Sequence, residues 1–148
     1  MDWLLPLTEI IAVTIAVIVA VPILWLFGRR RWLGHRGGLF DCCLRLSTAT
    51  PGTGWVLGVA RYNGERLEWF RTFSVSMRPR KVFDRSTVEA GRRREPDSQE
   101  AALLMHDQRI IELCRVDGRA WELAMSTDSM TGLLSWLDAA PPVEAPGL

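Results

Sequence analysis

The sequence predicts a mainly β fold: an N-terminal transmembrane helix, then an antiparallel β sandwich or barrel of seven or eight strands, closed by a C-terminal amphipathic helix. Three observations predict it. Residues 10–27 form one uncharged apolar run, apolar and polar residues then alternate in short stretches separated by turn residues, and a 3.6-residue period begins near Ser126. The predicted units are a transmembrane anchor (1–28), a basic juxtamembrane linker (29–38), a β domain (39–140) and a flexible tail (141–148).

The chain is long enough for one domain of ordinary size, and its charges are unevenly distributed. Its 148 residues hold 18 Lys+Arg and 17 Asp+Glu, a net charge of +1 that excludes a disordered polyelectrolyte or a bulk nucleic-acid coat. Residues 1–28 carry two acids and no base, residues 29–94 carry 15 bases and 5 acids, and residues 95–148 carry 3 bases and 10 acids. We therefore expect a domain with a basic side that faces a membrane and an acidic side that faces the cytosol.

The apolar run at residues 10–27 has the length of a membrane span. Its 18 residues cover about 27 Å at about 1.5 Å per residue, close to the hydrocarbon thickness of a bilayer. Trp3, Trp25 and Trp32 lie near its two ends, as interfacial aromatic residues do. The alternatives are a buried helix, which a domain of this size could not cover on all sides, and a cleaved signal peptide, for which the basic start and a small residue at −3 are missing.

The basic residues that follow the run predict its orientation. Arg29, Arg30 and Arg31 come directly after it, and no Lys or Arg precedes it. The positive-inside rule then places the N-terminus outside the plasma membrane and residues 29–148 in the cytoplasm. Gly37 and Gly38 are expected to form a short flexible joint before the β domain.

Period-two alternation and turn residues divide the β domain into strands. Asn63-Gly64 and Asp117-Gly118 are hairpin signals because these residue types accept positive φ. Pro79 moves one strand toward a sheet edge, and the segment 92–98 is predicted as a polar turn. The predicted strands begin at Leu39 and continue at 55–62, 66–73 (with Phe73 on the same side as Leu67 and Trp69), 78–83, 86–92, 101–106, 109–116 and 119–125.

A helix is predicted after the last strand. Ser126 or Thr127 caps it, and Asp128 in the first turn suits the helix dipole. Met130, Leu133, Leu134 and Leu137 form one apolar stripe, which Trp136 widens. We expect this stripe to plug the open end of the curved sheet, and Pro141-Pro142 to end the helix.

This order of hairpin strands followed by one terminal helix resembles the pleckstrin-homology-like (PH-like) superfold, which includes PH, PTB and GRAM domains. A second resemblance rests on the motifs GW…GVARY.G (54–64), RIIELC (109–114) and LLSWL (133–137), together with the leading helix. They are similar to an uncharacterised actinobacterial family of short single-span membrane proteins, a domain of unknown function often encoded beside ATP synthase genes. The resemblance implies a one-span topology and a bacterial source, and it implies no catalytic residues.

A basic group is the candidate binding site. Arg78 and Arg80 are expected to share a strand face, and Arg92 to Arg94 to sit in a turn. Near a bilayer each basic residue adds about 1 kcal/mol of attraction to anionic lipid. The group has three interpretations: electrostatic docking on the inner leaflet, a pocket for a specific headgroup, and an ordinary solvated face. The predicted membrane-surface residues are Arg29, Arg30, Arg31, Arg78, Arg80, Lys81, Arg85, Arg92, Arg93 and Arg94.

Catalytic and metal chemistry are not expected. Cys42 and Cys43 should point to opposite faces of a strand, one in the core and one exposed, and too far apart in direction for an unstrained disulfide. Cys114 is expected to be filler, and neither His35 nor His106 lies in a pattern of a general base or a zinc ligand. The seven tryptophans suit the membrane boundary and the core better than base stacking, so no nucleic-acid partner is expected, and no cofactor.

These features predict a non-enzymatic single-pass membrane protein that presents a cytosolic PH-like interaction domain at the inner membrane, as an accessory or scaffold protein. Its partners would be the bilayer, anionic inner-leaflet lipids and an unidentified membrane or cytosolic protein. The alternative is a sensor that binds an anionic phospholipid headgroup through the basic face. The acidic residues of 95–148, among them Glu95, Asp97, Glu100 and Glu112, would stay available to a protein partner.

Overall fold

The computed structural model describes residues 4–35 and 38–139, and the chain divides into two compact units, residues 1–36 and residues 37–148. The helices are α1 (Leu4–Gly34), α2 (Ser98–Ala101) and α3 (Thr127–Asp138). The strands are β1 (Leu39–Asp41), β2 (Cys43–Arg45), β3 (Trp55–Val56), β4 (Gly58–Asn63), β5 (Arg66–Arg71), β6 (Lys81–Asp84), β7 (Val88–Arg94), β8 (Gln108–Arg115) and β9 (Ala120–Ser126). A single 3₁₀ turn, Arg85–Thr87, joins β6 to β7 among these residues.

Helix α1 is the first unit. Its stretch Pro6–Gly34 is long and apolar enough to cross a membrane by length and composition, and its most apolar window has no buried residue. The hydroxyl of Thr14 donates to the carbonyl of Ile10 at 2.7 Å, so the one polar side chain of the apolar run is satisfied within the helix. The helix continues to Gly34, so the predicted linker at 29–38 is helical over its first six residues. Trp3, Gly37 and the predicted tail at 141–148 lie outside the described residues.

The second unit is built from two antiparallel sheets. The four-stranded sheet has the order β1-β4-β5-β6, and the five-stranded sheet has the order β3-β2-β9-β8-β7. Two long strands bend from one sheet into the other, the first at Cys42 between β1 and β2 and the second at Leu57 between β3 and β4. The backbone N–H of Cys42 donates to the carbonyl of Gly58 at 3.0 Å, so the two bends lie side by side. Counted as continuous strands they give seven in the described domain, and the predicted fold class is confirmed.

The main core lies between the two sheets and α3. Trp69 is fully buried there, and its indole Nε1 donates to the carbonyl of Cys42 at 2.8 Å. The α3 stripe is confirmed: Met130 and Leu133 are buried, and Leu134, Trp136 and Leu137 pack against the same cluster. Ser126 caps the helix, since its Oγ accepts from the N–H of Ser129 at 3.2 Å. Burial of each large apolar side chain in this core contributes about 2 kcal/mol.

The predicted strand at 101–106 is wrong, because this region holds helix α2 and a turn. The cause is a capping box. Asp97 Oδ1 accepts from the N–H of Gln99 and of Glu100, both at 2.9 Å, and Glu100 Oε2 accepts from the N–H of Asp97 at 3.1 Å. This reciprocal pair starts a helix at Ser98, three residues before the predicted strand.

Two further predictions change where the basic residues lie. Arg92, Arg93 and Arg94 belong to β7 rather than to a turn, because Arg93 and Arg94 pair with Ile111 and Ile110 of β8 after an irregularity at residues 91–92. The strand predicted at 78–83 begins only at Lys81, so Arg78 and Arg80 share no strand face and lie in the β5–β6 loop, residues 72–80. The edge position predicted for this strand is confirmed, since β6 ends the four-stranded sheet.

The hairpin turn between β4 and β5 lies one residue later than predicted. Asn63 pairs with Arg66, so Gly64 and Glu65 are the turn residues. Gly64 has φ of 59°, at the first turn position, where glycine adopts positive φ at no steric cost. Asn63 is free to bind elsewhere, and its Nδ2 donates to Glu68 Oε1 at 3.1 Å.

Candidate functional site

The structure distributes the ten predicted membrane-surface residues over four places. Arg29, Arg30 and Arg31 lie in α1, and Arg78 and Arg80 lie in the β5–β6 loop. Lys81 is the first residue of β6, and Arg85 is the first residue of the 3₁₀ turn that follows this strand. Arg92, Arg93 and Arg94 lie in β7. The two loop residues lie between strands of the four-stranded sheet, whereas the three β7 residues belong to the five-stranded sheet.

Arg85 is a structural residue. Its guanidinium forms a two-pronged ion pair with the Glu65 carboxylate, in which Nε donates to Oε2 at 2.8 Å and Nη2 donates to Oε1. Nη1 donates to the carbonyl of Trp136 at 3.3 Å, and the guanidinium carbon lies 5.6 Å from the centre of the Trp136 ring. Arg85 thus ties the 3₁₀ turn to the β4–β5 hairpin and to α3, and its donors are used within the domain.

Arg94 is committed to an internal ion network on the outer side of the five-stranded sheet. Its Nη1 and Nη2 donate to the two oxygens of Glu100 at 2.6 and 2.8 Å, and Nη2 also donates to Glu122 Oε1 at 2.8 Å. Arg45 Nη1 donates to the other Glu122 oxygen at 2.6 Å. Two arginines and two carboxylates therefore join strands β2, β7 and β9 to α2.

Burial and pairing explain the titration of this network. The Glu100 side chain is 1% exposed. Hydrogen bonds from Arg94 lower the pKa of Glu100 to about 2 against the opposing effect of burial, and the Asp97 N–H adds to the lowering. For Glu122 burial acts to raise the pKa, but bonds from Arg45 and Arg94 outweigh it and the net shift is downward. The bond to Glu100 in turn raises the pKa of Arg94.

The remaining residues of the predicted basic group in the β domain, Arg78, Arg80, Lys81, Arg92 and Arg93, are exposed or half-buried. Arg92 lines a small groove, but Glu112 and Glu122 line it too, so its charge does not select an anion. Lys81 Nζ lies 5.3 Å from the centre of the Trp121 ring and forms a cation–π contact with it. Arg78 and Arg80 are exposed, and no ion pair to them occurs among residues 38–139.

Two apolar residues that precede Arg78 in the β5–β6 loop are exposed. Phe73 is predicted on the same strand side as Leu67 and Trp69, but β5 ends at Arg71 and the Phe73 side chain is 77% exposed. Val75 is 78% exposed. Alternation of apolar and polar residues alone would continue the strand through Phe73. The only signal in the sequence that the strand ends earlier is the pair of serines, Ser74 and Ser76, around Val75.

A second feature missed by the sequence lies on the outer face of the five-stranded sheet. Cys43, Ile110 and Ala124 are buried there under Leu104 and the half-buried Trp55, in a small cluster separate from the main core. The covering segment is the β7–β8 connection, residues 95–107. This connection and the first residues of β8 line a shallow cavity of about 310 Å³. The lining residues are Glu95, Pro96, Ala101, Met105, His106, Asp107, Gln108 and Arg109.

The prediction for the two neighbouring cysteines is half wrong. Cys42 faces the main core and Cys43 faces the outer cluster, so both thiols are buried although they point to opposite faces. Burial raises the pKa of both thiols, that of Cys42 far more, so both are poor nucleophiles. Within residues 4–35 and 38–139, no group of three His, Cys, Asp or Glu side chains is placed to hold a metal ion.

The described units define a class: a chain with an apolar N-terminal helix that is a candidate membrane span, followed by a β domain of two antiparallel sheets with a helix after its last strand. The chain belongs to the family described as "Protein of unknown function (DUF2550)", whose model matches residues 16–143. An uncharacterized protein of Mycobacterium tuberculosis (strain H37Rv) is 31% identical over 132 residues, 87% of this chain and 88% of the relative. An uncharacterized protein of Mycobacterium leprae is 31% identical over 115 residues, 76% of this chain and 78% of the relative.

Among solved structures, the solution structure of the PH domain of human oxysterol binding protein-related protein 11 is similar to this chain. The TM-score is 0.42 at 14% sequence identity, and the match covers 76% of this chain and 94% of that domain.

Proposed function

We propose that the protein is a non-enzymatic, single-pass membrane protein whose β domain serves as an interaction module at the inner face of the plasma membrane. The observation that carries the proposal is the exposure of α1. Ile18, Leu24 and Phe27 are 66%, 68% and 73% exposed, along a helix whose most apolar window has no buried residue. Such a helix is stable when lipid covers it, and 29 residues exceed the roughly 20 needed to cross a bilayer.

The charge pattern supports a cytoplasmic β domain. Arg29, Arg30 and Arg31 lie in the last part of α1, beyond its apolar run, and the sequence before them has no Lys or Arg. Basic residues at a helix end favour the cytoplasmic side. The two buried free thiols of the β domain also suit a reducing compartment.

The β7–β8 connection is the surface that we assign to a protein partner. Leu103 and Met105 are 56% and 59% exposed, and Met105 lines the 310 Å³ cavity. Glu95, Asp97 and Asp107 give the segment an acidic character. The capping box and the Arg94–Glu100 pair hold it against the sheet, so the surface is pre-organised. This chemistry fits a partner segment that combines basic and apolar side chains.

The alternative function, a sensor for one anionic headgroup, has weaker support. A selective pocket needs several donors that converge on one point, whereas Arg85 and Arg94 use their donors on Glu65, Glu100 and Glu122. The groove beside Arg92 holds two carboxylates. What remains is contact with anionic lipid in general, through the exposed residues of the β5–β6 loop.

Alkaline extraction of membranes tests the anchor. The full chain should stay in the membrane pellet, and a double substitution in α1, Ile15→Lys with Ile18→Lys, should move it to the supernatant. A matched pair on the β domain, Leu103→Lys with Met105→Lys, should leave the full chain in the pellet. Release of the unaltered chain by alkali would contradict the proposal.

Photo-crosslinking in cells tests the interaction module. A crosslinker at position 105 should give a defined adduct that is lost when Glu95 and Asp107 are changed to Lys, while a crosslinker at Glu89, an exposed position on β7, should give none. The gene neighbourhood that the family resemblance implies does not by itself predict a physical contact with ATP synthase. Recovery of ATP synthase subunits in the adduct would establish such a contact.

A further inference from the structure

We propose that the β5–β6 loop inserts the side chains of Phe73 and Val75 into the interfacial region of an anionic bilayer, while Arg78 and Arg80 contact lipid phosphates. The inference rests on the proposed function in one respect, namely that the β domain works at a membrane surface. It adds the lipid-facing residues of the domain and the class of lipid that they select.

The first argument is exposure. Phe73 and Val75 are the most exposed large apolar side chains among the described residues whose exposure is known, at 77% and 78%. They lie at alternate positions in the β5–β6 loop. A bulky apolar side chain fully in water at a loop tip gains from transfer to an interface, as amphipathic membrane-binding segments do.

The second argument is the firm seating of the loop. Its first residue, Thr72, donates its N–H to the carbonyl of Leu57 at 3.1 Å, and its last residue, Arg80, donates to the carbonyl of Trp69 at 2.8 Å. Within the loop, the hydroxyl of Ser74 accepts from the N–H of Ser76 at 3.2 Å, and the hydroxyl of Ser76 accepts from the N–H of Arg78 at 3.2 Å. The two serine hydroxyls accept hydrogen bonds from backbone N–H groups where the loop turns. The loop is therefore already ordered, so insertion of its apolar side chains costs little additional conformational entropy.

The third argument is charge. Residues 71–81 carry Arg71, Arg78, Arg80 and Lys81 and no acidic residue. The other exposed apolar pair of the β domain, Leu103 and Met105, lies in the acidic β7–β8 connection, which an anionic leaflet repels. Attraction of about 1 kcal/mol per basic residue near the surface corresponds to about a fivefold gain in occupancy for each. Exposed apolar side chains in a segment that carries basic and no acidic residues favour anionic lipid over a protein partner.

The test uses the full chain in nanodiscs made either of phosphatidylcholine alone or of phosphatidylcholine with phosphatidylglycerol. Met77→Cys, in a Cys114→Ser background, carries an environment-sensitive fluorophore, and Cys42 and Cys43 are buried. In anionic nanodiscs we expect a blue-shifted emission that nitroxides on the lipid acyl chains quench. In neutral nanodiscs we expect the occupancy of the inserted state to fall at least tenfold.

Matched substitutions separate the parts of the proposal. Phe73→Ser with Val75→Ser and Arg78→Glu with Arg80→Glu should each abolish the shift in anionic nanodiscs. The control pairs, Leu103→Ser with Met105→Ser and Arg92→Glu with Arg93→Glu, should retain it. Amide hydrogen exchange of residues 72–80 without any label should slow at least tenfold in anionic nanodiscs relative to neutral ones.

Each contrary outcome is distinct. If the chain fails to enter nanodiscs, the anchor of the proposed function is wrong. If it enters but position 77 stays in water and the exchange of the loop is unchanged by anionic lipid, only the loop insertion is wrong. A defined protein adduct at position 75 in cells, with position 77 in water on anionic nanodiscs, would identify the loop as a protein-docking surface and overturn lipid insertion.

Discussion

The buried carboxylate of Glu100 gives the most quantitative prediction. Replacement by Gln keeps the shape of the side chain but removes the charge that pairs with Arg94 through bonds of 2.6 and 2.8 Å. The pKa of Glu100 falls from 4.5 to about 2 on folding, and each pKa unit corresponds to about 1.4 kcal/mol. The folded state therefore favours the carboxylate by about 3 kcal/mol, and Glu100→Gln should lower the free energy of unfolding by about that amount at pH 7.

The pH dependence has a definite sign. A carboxyl group whose pKa is depressed in the folded state contributes its stability above the unfolded pKa, near 4.5, and loses it as the pH falls toward 2. The difference in unfolding free energy between the parent chain and Glu100→Gln should thus shrink from about 3 kcal/mol at pH 7 to about 1 kcal/mol at pH 3. Urea unfolding of the full chain in detergent micelles, followed by tryptophan fluorescence, measures this difference.

A matched control is Glu89→Gln, since Glu89 is an exposed residue on β7, the strand that carries Arg94. It should change the unfolding free energy by less than about 0.5 kcal/mol at either pH. If Glu100→Gln leaves the stability at pH 7 unchanged, or if its effect is as large at pH 3 as at pH 7, the ion network does not stabilise the β7–β8 connection as described.

Three further predictions concern the core, the last helix and the thiols. Gly58→Ala should destabilise the β domain by about 2 kcal/mol or more, because the added Cβ would lie 2.3 Å from the fully buried Trp69 ring. The control is Gly132→Ala in α3, whose added Cβ meets only Tyr62 Oη at 3.8 Å and which should stabilise the domain by about 0.5–1 kcal/mol. Equal effects of the two substitutions on urea unfolding would refute the packing around Trp69. Ser126→Ala should cost about 1 kcal/mol through loss of the helix cap, and a neutral result in the same assay would contradict it. Cys42 and Cys43 should resist iodoacetamide in the native chain, because both thiols are buried, and should react after unfolding. If mass spectrometry finds either residue alkylated in the native chain, the strand bend at Cys42 is accessible to solvent and the described burial is wrong.

Much of the fold was predictable because its signals are local. The N-cap at Ser126 and the Met130–Leu133 spacing mark α3, and turn residues mark the hairpins. The bends at Cys42 and Leu57 left no such signal, since Phe40, Cys42 and Leu44 keep alternating toward the core while the backbone passes from one sheet to the other. The capping box of Asp97 and Glu100 was a readable signal, but a helix of four residues is too short to show an apolar period.

The candidate site was harder to predict because it depends on contacts between distant residues. Composition identified the arginines, but nothing in their spacing shows that Arg94 pairs with Glu122, 28 residues away, or that Arg85 pairs with Glu65, 20 residues away. The same limit applies to Phe73, where the strand ends at Arg71 and leaves an apolar residue in water. Charge located the basic half of the domain, and only the fold separates structural arginines from exposed ones.

The orientation of the chain in the membrane tests the central claim most directly. A cysteine introduced at Val116, which is 75% exposed in the β8–β9 turn, and another introduced at Asp2 are compared in a Cys114→Ser background with a thiol reagent that does not cross membranes. The proposed function predicts that intact cells label position 2 and leave position 116 unlabelled until the membrane is permeabilised. Labelling of position 116 in intact cells would place the β domain outside and contradict its action at the inner face.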